Sequence, residues 1–394
     1  MKRIYLDHSA TTPLDSEVLQ KMIPYFTEDF GNANSMHAFG QKGAYAVSEA
    51  RNKIAKLVGA KPNEIYFTSG GTEADNWAIK GMARKMQTKG KHIITSAIEH
   101  AAILASCKQM EKEGFEVTYL PVDKDGIVTP ETLENAIRED TILVSVMLAN
   151  NEIGTIQPIK ELASVAKKHG VYFHTDAVQA VGSIPVSVTD LGVDLMSFSA
   201  HKFYGPKGIG VLYIKGGVKP DKYLTGGHQE RTMRGGTTNV PAVVGMAEAL
   251  EKAINDLDKN YVYVKSLRDR FVERVKSEIP YVVYNGHETE RLPQNANFAF
   301  EFIEGESILM LLDLAGIACS SGSACSSGSL EPSHVLLATG LPIEKAHGSI
   351  RFSFGKGNTM EEVDYTVEKL KEIINKLRVM SPLFASVQGD VKNV

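Results

Sequence analysis

Cysteine is scarce in this chain. Only Cys107, Cys319 and Cys325 occur among 394 residues, too few for a disulfide framework, so an exposed thiol in a reducing compartment would be present for its chemistry. Long apolar runs are missing too, because none reaches the roughly 18 residues that a membrane span requires. Met1 leads straight into the strand-like KRIYLD, with no cationic and apolar leader. These absences predict a cytoplasmic protein with no membrane partner. Basic blocks are absent as well: the net charge is -4, with Lys, Arg, Asp and Glu interspersed. Nothing is then available to neutralise a run of phosphates, which argues against nucleic acid as a partner. Neither G-x-G-x-x-G nor G-x-x-x-x-G-K-[ST] occurs, which argues against dinucleotides and nucleoside triphosphates.

What is present is alternation. The chain is longer than one hydrophobic core usually organises. Between about residues 15 and 260, the β-rich runs EIYFTSG, HIITS, FEVTYLP, TILVSVMLAN, VYFHTD, DLMSFS and GIGVLYIK alternate with helical patterns such as TEADNWAIKGMARKM. This is the signature of a parallel sheet covered by helices. Several runs are apolar on both parities, as strands buried on two faces should be. Polar residues gather just after the strand ends, the edge at which open α/β sheets bind ligands. One long helical stretch, from about 241 to 278, leads into YVVYN, NANFAFEF and SIRFSF, read as strands, and GESILMLLDLAG and 360–377, read as helices. The fold class is therefore α/β, with a large domain over 15–260 and a small α+β domain over 1–14 and 261–394.

Three sites carry chemistry. In FTSGGTEAD an apolar strand passes through two glycines into a helix. The turn reads either as a phosphate cradle at a helix N-terminus or as a tight turn capped by Thr72. In VYFHTDAVQA, Asp176 ends a buried strand and needs a cationic or donor partner, and Gln179 follows one turn later. In SFSAHKFYGPKG, Ser199, His201 and Lys202 stand between an apolar strand and a Gly-rich turn, where burial would favour the free amine that forms Schiff bases. Together they supply what a pyridoxal 5'-phosphate pocket requires: a cradle for the phosphate, an acid for the pyridine nitrogen and an amine for the aldehyde. A fourth segment, ACSSGSACSSGS over 318–329, holds two of the three thiols among residues too small and polar to pack a core.

The order of YLDHSATTP, TSGGTEADN, Glu99-His100, NNEIG, HTDAVQ, SAHKFYGPKGIG, RGGT and SSGSACSSGSLEPSH resembles the cysteine desulfurases of the NifS/IscS class. These belong to the class V branch of fold-type I pyridoxal phosphate enzymes. The resemblance implies a large cofactor-binding domain built on a mostly parallel seven-stranded sheet flanked by helices, and a small domain carrying a mobile cysteine loop at about 318–332. It implies that Lys202 holds the cofactor and then acts as base, that Asp176 pairs with the pyridine nitrogen and Gln179 with the phenolic oxygen, and that His100 stacks on the ring and shuttles protons. Gly71, Thr72, Ser199 and His201 would bind the phosphate. Thr237 would reach the phosphate of a neighbouring subunit in a homodimer with shared active sites. Asn151, which would also touch the cofactor, and Arg351 would meet the carboxylate of L-cysteine, and Cys325 would take its sulfur as a persulfide, leaving L-alanine. The acceptor would be an iron-sulfur scaffold or a sulfur-carrier protein. No intrinsic metal site is expected, beyond transient ligation by Cys325 of a cluster shared with a scaffold. Cys319 reads as a small packing residue or as a redox partner for Cys325.

Overall fold

The computed structural model describes residues 3–321 and 331–385. After β1 (Ile4–Tyr5) come the seven strands of the large sheet: β2 (Ile65–Thr68), β3 (His92–Ser96), β4 (Glu116–Leu120), β5 (Thr141–Ser145), β6 (Tyr172–Asp176), β7 (Leu195–Ser199) and β8 (Gly210–Ile214). Their spatial order is β2-β8-β7-β6-β5-β3-β4. All are parallel except β8, which runs antiparallel to both β2 and β7. Every residue of β3, β5, β7 and β8 is buried, which is why these runs are apolar on both parities. Ile94, Val144, Met196 and Val211 face one core. Their chain neighbours Ile93, Leu143, Leu195 and Leu212 face another, built on Trp77, Met82, Ile103 and Cys107. The sheet is thus the middle layer of three.

The remaining strands are β9 (Val282–Asn285), β10 (Asn295–Phe300), β11 (Ile317–Ala318), β12 (Ser320–Ser321) and β13 (Ser349–Ser353). They form an antiparallel sheet in the order β12-β13-β10-β9, while β11 pairs in parallel with β1. A separate core of Phe271, Phe298, Phe352 and Phe354 lies against it and also takes in Ile4 and Leu6 from the N-terminal stretch. The single helical stretch expected over 241–278 is two helices, Val240–Asn255 and Leu257–Glu278, meeting at Asp256. The break has a packing reason. Val243, Met246 and Leu250 of the first helix enter the large-sheet core, whereas Val264, Leu267 and Phe271 of the second enter the small-sheet core. Among the described residues, no helix is long and apolar enough to cross a membrane.

Candidate active site

The polar residues that follow the parallel strands converge on one cavity of about 290 Å³. Gly71 and Thr72 arrive after β2, His100 after β3, Met147 and Asn151 after β5, Asp176 and Ser199 at the ends of β6 and β7, and Lys202 after β7. Gln179 and His201 complete that rim, Arg351 enters from β13, and Ser9 and Ala10 close the space from the N-terminal stretch. Thr72 does not cap its helix: the helix Gly71–Met86 starts after Gly70, which provides no side-chain cap. Its leading amides are thus left for a ligand, and the helix dipole favours an anionic one. A side chain at position 71 would sit 2.7 Å from Val178 Cγ2, so only glycine lets the backbone come this close.

Asp176 is buried, and its Oδ1 accepts from the Val178 amide at 2.8 Å. Burial raises its affinity for a proton, while His100, that amide and Lys202 pull the other way. Lys202 Nζ donates to the carbonyls of Ser9, at 2.5 Å, and Ala10, at 2.8 Å. Gln179 Nε2 donates to the same Ser9 carbonyl at 2.9 Å, so the N-terminal stretch positions both side chains. His100 does cap a helix: its Nδ1 accepts from the Ala102 amide at 3.1 Å at the start of Ala101–Lys112. Because Nδ1 accepts this amide hydrogen, the ring's own hydrogen is on Nε2, and burial lowers the proton affinity of the ring. His201, 3.1 Å from the Thr11 hydroxyl, is held at about 4 by burial and then by Lys202 and Lys207. Ser199 Oγ donates to the Ile209 carbonyl at 3.3 Å.

Arg351 is 2% exposed. Its Nη2 donates to Asp7 Oδ1 at 2.9 Å and its Nη1 to the Asn151 carbonyl at 3.0 Å, while its buried Nε has no partner among the described residues. A buried guanidinium edge with an unused donor is a ready partner for a small carboxylate. Thr237 is not brought into this cavity. It is exposed and lines a separate space of about 170 Å³ with Ser69, Gln229 and Arg234. Cys325 lies outside the described residues, but both flanks of its segment end at the site. On the N-terminal flank, Ser320 and Ser321 pair with Arg351 and Ile350. On the other, Ser333 Oγ donates to the buried Glu152 carboxylate and His334 Nε2 contacts the Glu99 carbonyl at 3.0 Å. Cys319 packs against the small-sheet core, and burial pushes its thiol well up from its ordinary value.

Four acidic residues escaped the reading of the motifs although each stands in one of them: Asp7, Asp75, Glu99 and Glu152. All serve the site through contacts that are distant in sequence, such as Arg351 to Asp7 and Ser333 to Glu152. Their only local signal was adjacency to residues that were singled out. The donors present do fit pyridoxal phosphate: an uncapped helix N-terminus behind Gly71, a buried carboxylate at Asp176 and an amine at Lys202, all on one cavity.

The comparisons with known proteins agree with this geometry. A family model described as aminotransferase class-V matches residues 4–366. The chain is 57% identical over 383 residues to the cysteine desulfurase IscS of Dictyoglomus turgidum, covering 97% of each chain. It is 48% identical to the cysteine desulfurase of Homo sapiens, covering 100% of this chain and 87% of that one. A solved NifS-like protein matches with a TM-score of 0.90 at 41% identity, covering 95% of this chain and 100% of that one. The structure described as SspA in complex with cysteine matches with a TM-score of 0.80 at 35% identity, covering 91% and 100%. The chain therefore belongs to the class-V aminotransferase family and, within it, to the cysteine desulfurases.

Proposed function

We propose that the chain converts L-cysteine to L-alanine, takes the sulfur onto Cys325 as a persulfide, and passes it to an acceptor for iron-sulfur cluster assembly or other thio-cofactors. The observation that carries this reading is the convergence of Lys202, Asp176 and Arg351 on one cavity, with the strand that enters the Cys325 segment paired directly to Arg351. Pyridoxal phosphate, the cofactor of this family, supplies when bound an aldehyde that captures amines and a ring that draws electron density from the substrate's Cα. Gly71, Thr72, Ser199 and His201 would hold its phosphate, Asp176 its ring nitrogen and Gln179 its phenolic oxygen, with His100 stacked on the ring.

Each remaining task falls to a residue of this chain. Arg351 and Asn151 orient the substrate carboxylate. In its neutral form, Lys202 Nζ takes the proton from the substrate's Cα. His100 can deliver the hydrogen of Nε2 into the cavity. The Cys325 thiolate attacks the substrate sulfur: an S–S bond forms, the Cβ–S bond breaks, and its electron pair stays with the substrate carbon, which is protonated on the way to L-alanine. The Ser and Gly that surround Cys325 suit a segment that must serve both the cavity and an outside acceptor.

The same reading makes the protein a cytoplasmic homodimer, with 15–260 and 1–14 plus 261–394 as its two domains. Exposed Phe26, Phe30, Met36 and Phe39 supply apolar surface for association. The exposed position of Thr237, away from Lys202, suits a residue that acts on the partner's site. An iron-sulfur scaffold or a sulfur carrier would receive the persulfide. The test is mass spectrometry after incubation with L-cysteine. The intact protein should gain one sulfur on Cys325 as alanine appears, and Lys202→Ala should give neither product. Sulfide release by Cys325→Ala at the normal rate would sink the persulfide route.

A further inference from the structure

Strand β2 stands at the edge of the large sheet, paired only with β8, so part of its backbone must find partners elsewhere. The segment that leads to Thr237 supplies them. Phe67 N donates to Glu230 Oε2 at 2.9 Å, and the Ile65 carbonyl accepts from Arg231 Nη2 at 2.8 Å and from Arg51 Nη1 at 2.6 Å. Arg51 also closes on Glu230, its Nη1 and Nη2 donating to the two carboxylate oxygens at 2.8 and 2.7 Å. The Arg231 guanidinium lies 4.1 Å from the centre of the Tyr66 ring, a cation–π contact. These contacts hold the backbone in an unfavourable shape. Glu230, Arg231 and Thr232 have φ of 44°, 55° and 68°, three residues in succession in the left-handed region that side chains other than glycine rarely enter. Strain of this kind persists only where the surroundings over-determine it, and it gathers where a segment has a task.

Arg234 fixes the chain next. Its Nε and Nη2 donate to Glu73 Oε1 at 2.8 Å and Oε2 at 3.0 Å, and Glu73 Oε2 also accepts from the Ser69 amide at 2.9 Å. Glu73 stands in the first turn of the helix Gly71–Met86, where its bare charge would oppose a phosphate, and the paired guanidinium neutralises it. Beyond Thr237, Asn239 Oδ1 accepts from the Ala242 amide at 3.2 Å and starts the helix Val240–Asn255. Thr237 is thus held on both sides while remaining exposed, a fixed surface position that a neighbouring molecule can use. We propose that Glu230, Arg231 and Arg234 are positioning residues that hold 229–239 as an arm presenting Thr237 to the cofactor phosphate of a neighbouring subunit. The inference rests on the reading of Thr237 as part of a shared site. Through Glu73, the arm that a subunit gives away is tied to the turn that would hold its own phosphate.

Mixed dimers of differently tagged chains test the arm. Lys202→Ala removes the amine from one site, so the absorption of the lysine-bound cofactor, titrated with pyridoxal phosphate, reports on the other site alone. In a dimer of Lys202→Ala with Arg234→Ala, the reporting site receives an intact arm, and its dissociation constant should equal that of Lys202→Ala paired with the parent chain. In a dimer of the double variant Lys202→Ala/Arg234→Ala with the parent chain, the damaged arm falls on the reporting site, and the dissociation constant should rise several-fold. Arg234→Lys in the same place, which keeps the charge without the paired contact, should recover part of the loss. A loss in the first dimer, or none in the second, would overturn the proposal. Thr237→Ala separates the arm from the reading beneath it. Parental cofactor affinity in Thr237→Ala would defeat the shared site itself, whereas a loss there with none in Arg234→Ala would defeat only the arm. A chain that formed no dimer would defeat both.

Discussion

Glu99 and His100 are neighbours in the chain, yet only the imidazole announced itself. The ring nitrogen that caps the helix Ala101–Lys112 is a local matter, legible because His100 stands just before a helical pattern. The role of Glu99 depends on Met147, 48 residues away: Oε1 accepts from the Met147 amide at 2.9 Å and from Ser96 Oγ at 2.6 Å, while Oε2 is buried without a partner among the described residues. Desolvation pushes this carboxyl from 4.5 up to about 8. The sign of the consequence follows. Between those two values the folded protein keeps a proton that the unfolded chain releases, so stability falls as pH rises, by roughly 1.4 kcal/mol per pH unit at full effect. Glu99→Gln keeps the acceptor and cannot titrate. Denaturant midpoints of the two proteins should coincide near about pH 5 and separate by about pH 8, with the parent lower. Equal pH slopes would show that Glu99 titrates normally. Asp7, Asp75 and Glu152 escaped detection for the same physical reason, since a carboxylate's burial is decided by what the fold brings over it.

At the scale of elements, the alternation of strands and helices was legible because each strand buried on two faces leaves a continuous apolar run. Strand direction was not. Nothing in GIGVLYIK distinguishes the antiparallel β8 from its parallel neighbours, because burial on both faces gives the same composition either way. The break at Asp256 was equally hidden: no Pro or Gly marks it, and the apolar spacing continues across it while the helix changes the core it serves. What the one glycine of β8 does becomes visible only in the assembled sheet. A side chain at Gly210 would meet the Gly70 backbone at 2.6 Å, so β8 packs directly against the turn that would hold the phosphate. Gly210→Ala must push that turn away, since backbone atoms cannot rotate aside. The expected cost is about 1–3 kcal/mol of stability, with a several-fold rise in the dissociation constant for pyridoxal phosphate. Unchanged cofactor affinity would mean that the turn is not the phosphate cradle.

For the molecule as a whole, the site exists only where three distant parts of the chain meet. The large sheet contributes Asp176 and Lys202, β13 of the small sheet contributes Arg351, and the stretch from Asp7 to Thr11 lies between them. That stretch is held from both sides. Its Ser9 carbonyl accepts from Lys202 and Gln179, and Asp7 pairs with Arg351. Strand β1, just before it, is packed with the small-sheet core. Asp7→Ala therefore removes more than one contact. It leaves the Arg351 guanidinium buried without its counter-charge, a loss that in proteins costs about 3–5 kcal/mol, and it frees that guanidinium from the orientation it holds at the edge of the cavity. Both effects should appear together: a lower denaturation midpoint, and a KM for L-cysteine raised about tenfold against a smaller change in kcat, since the loss falls on binding of the carboxylate. Asp7→Glu, which keeps the charge, should recover most of the stability and less of the KM. Full stability with a normal KM in Asp7→Ala would mean that Arg351 holds its place without the N-terminal stretch, through its bond to the Asn151 carbonyl.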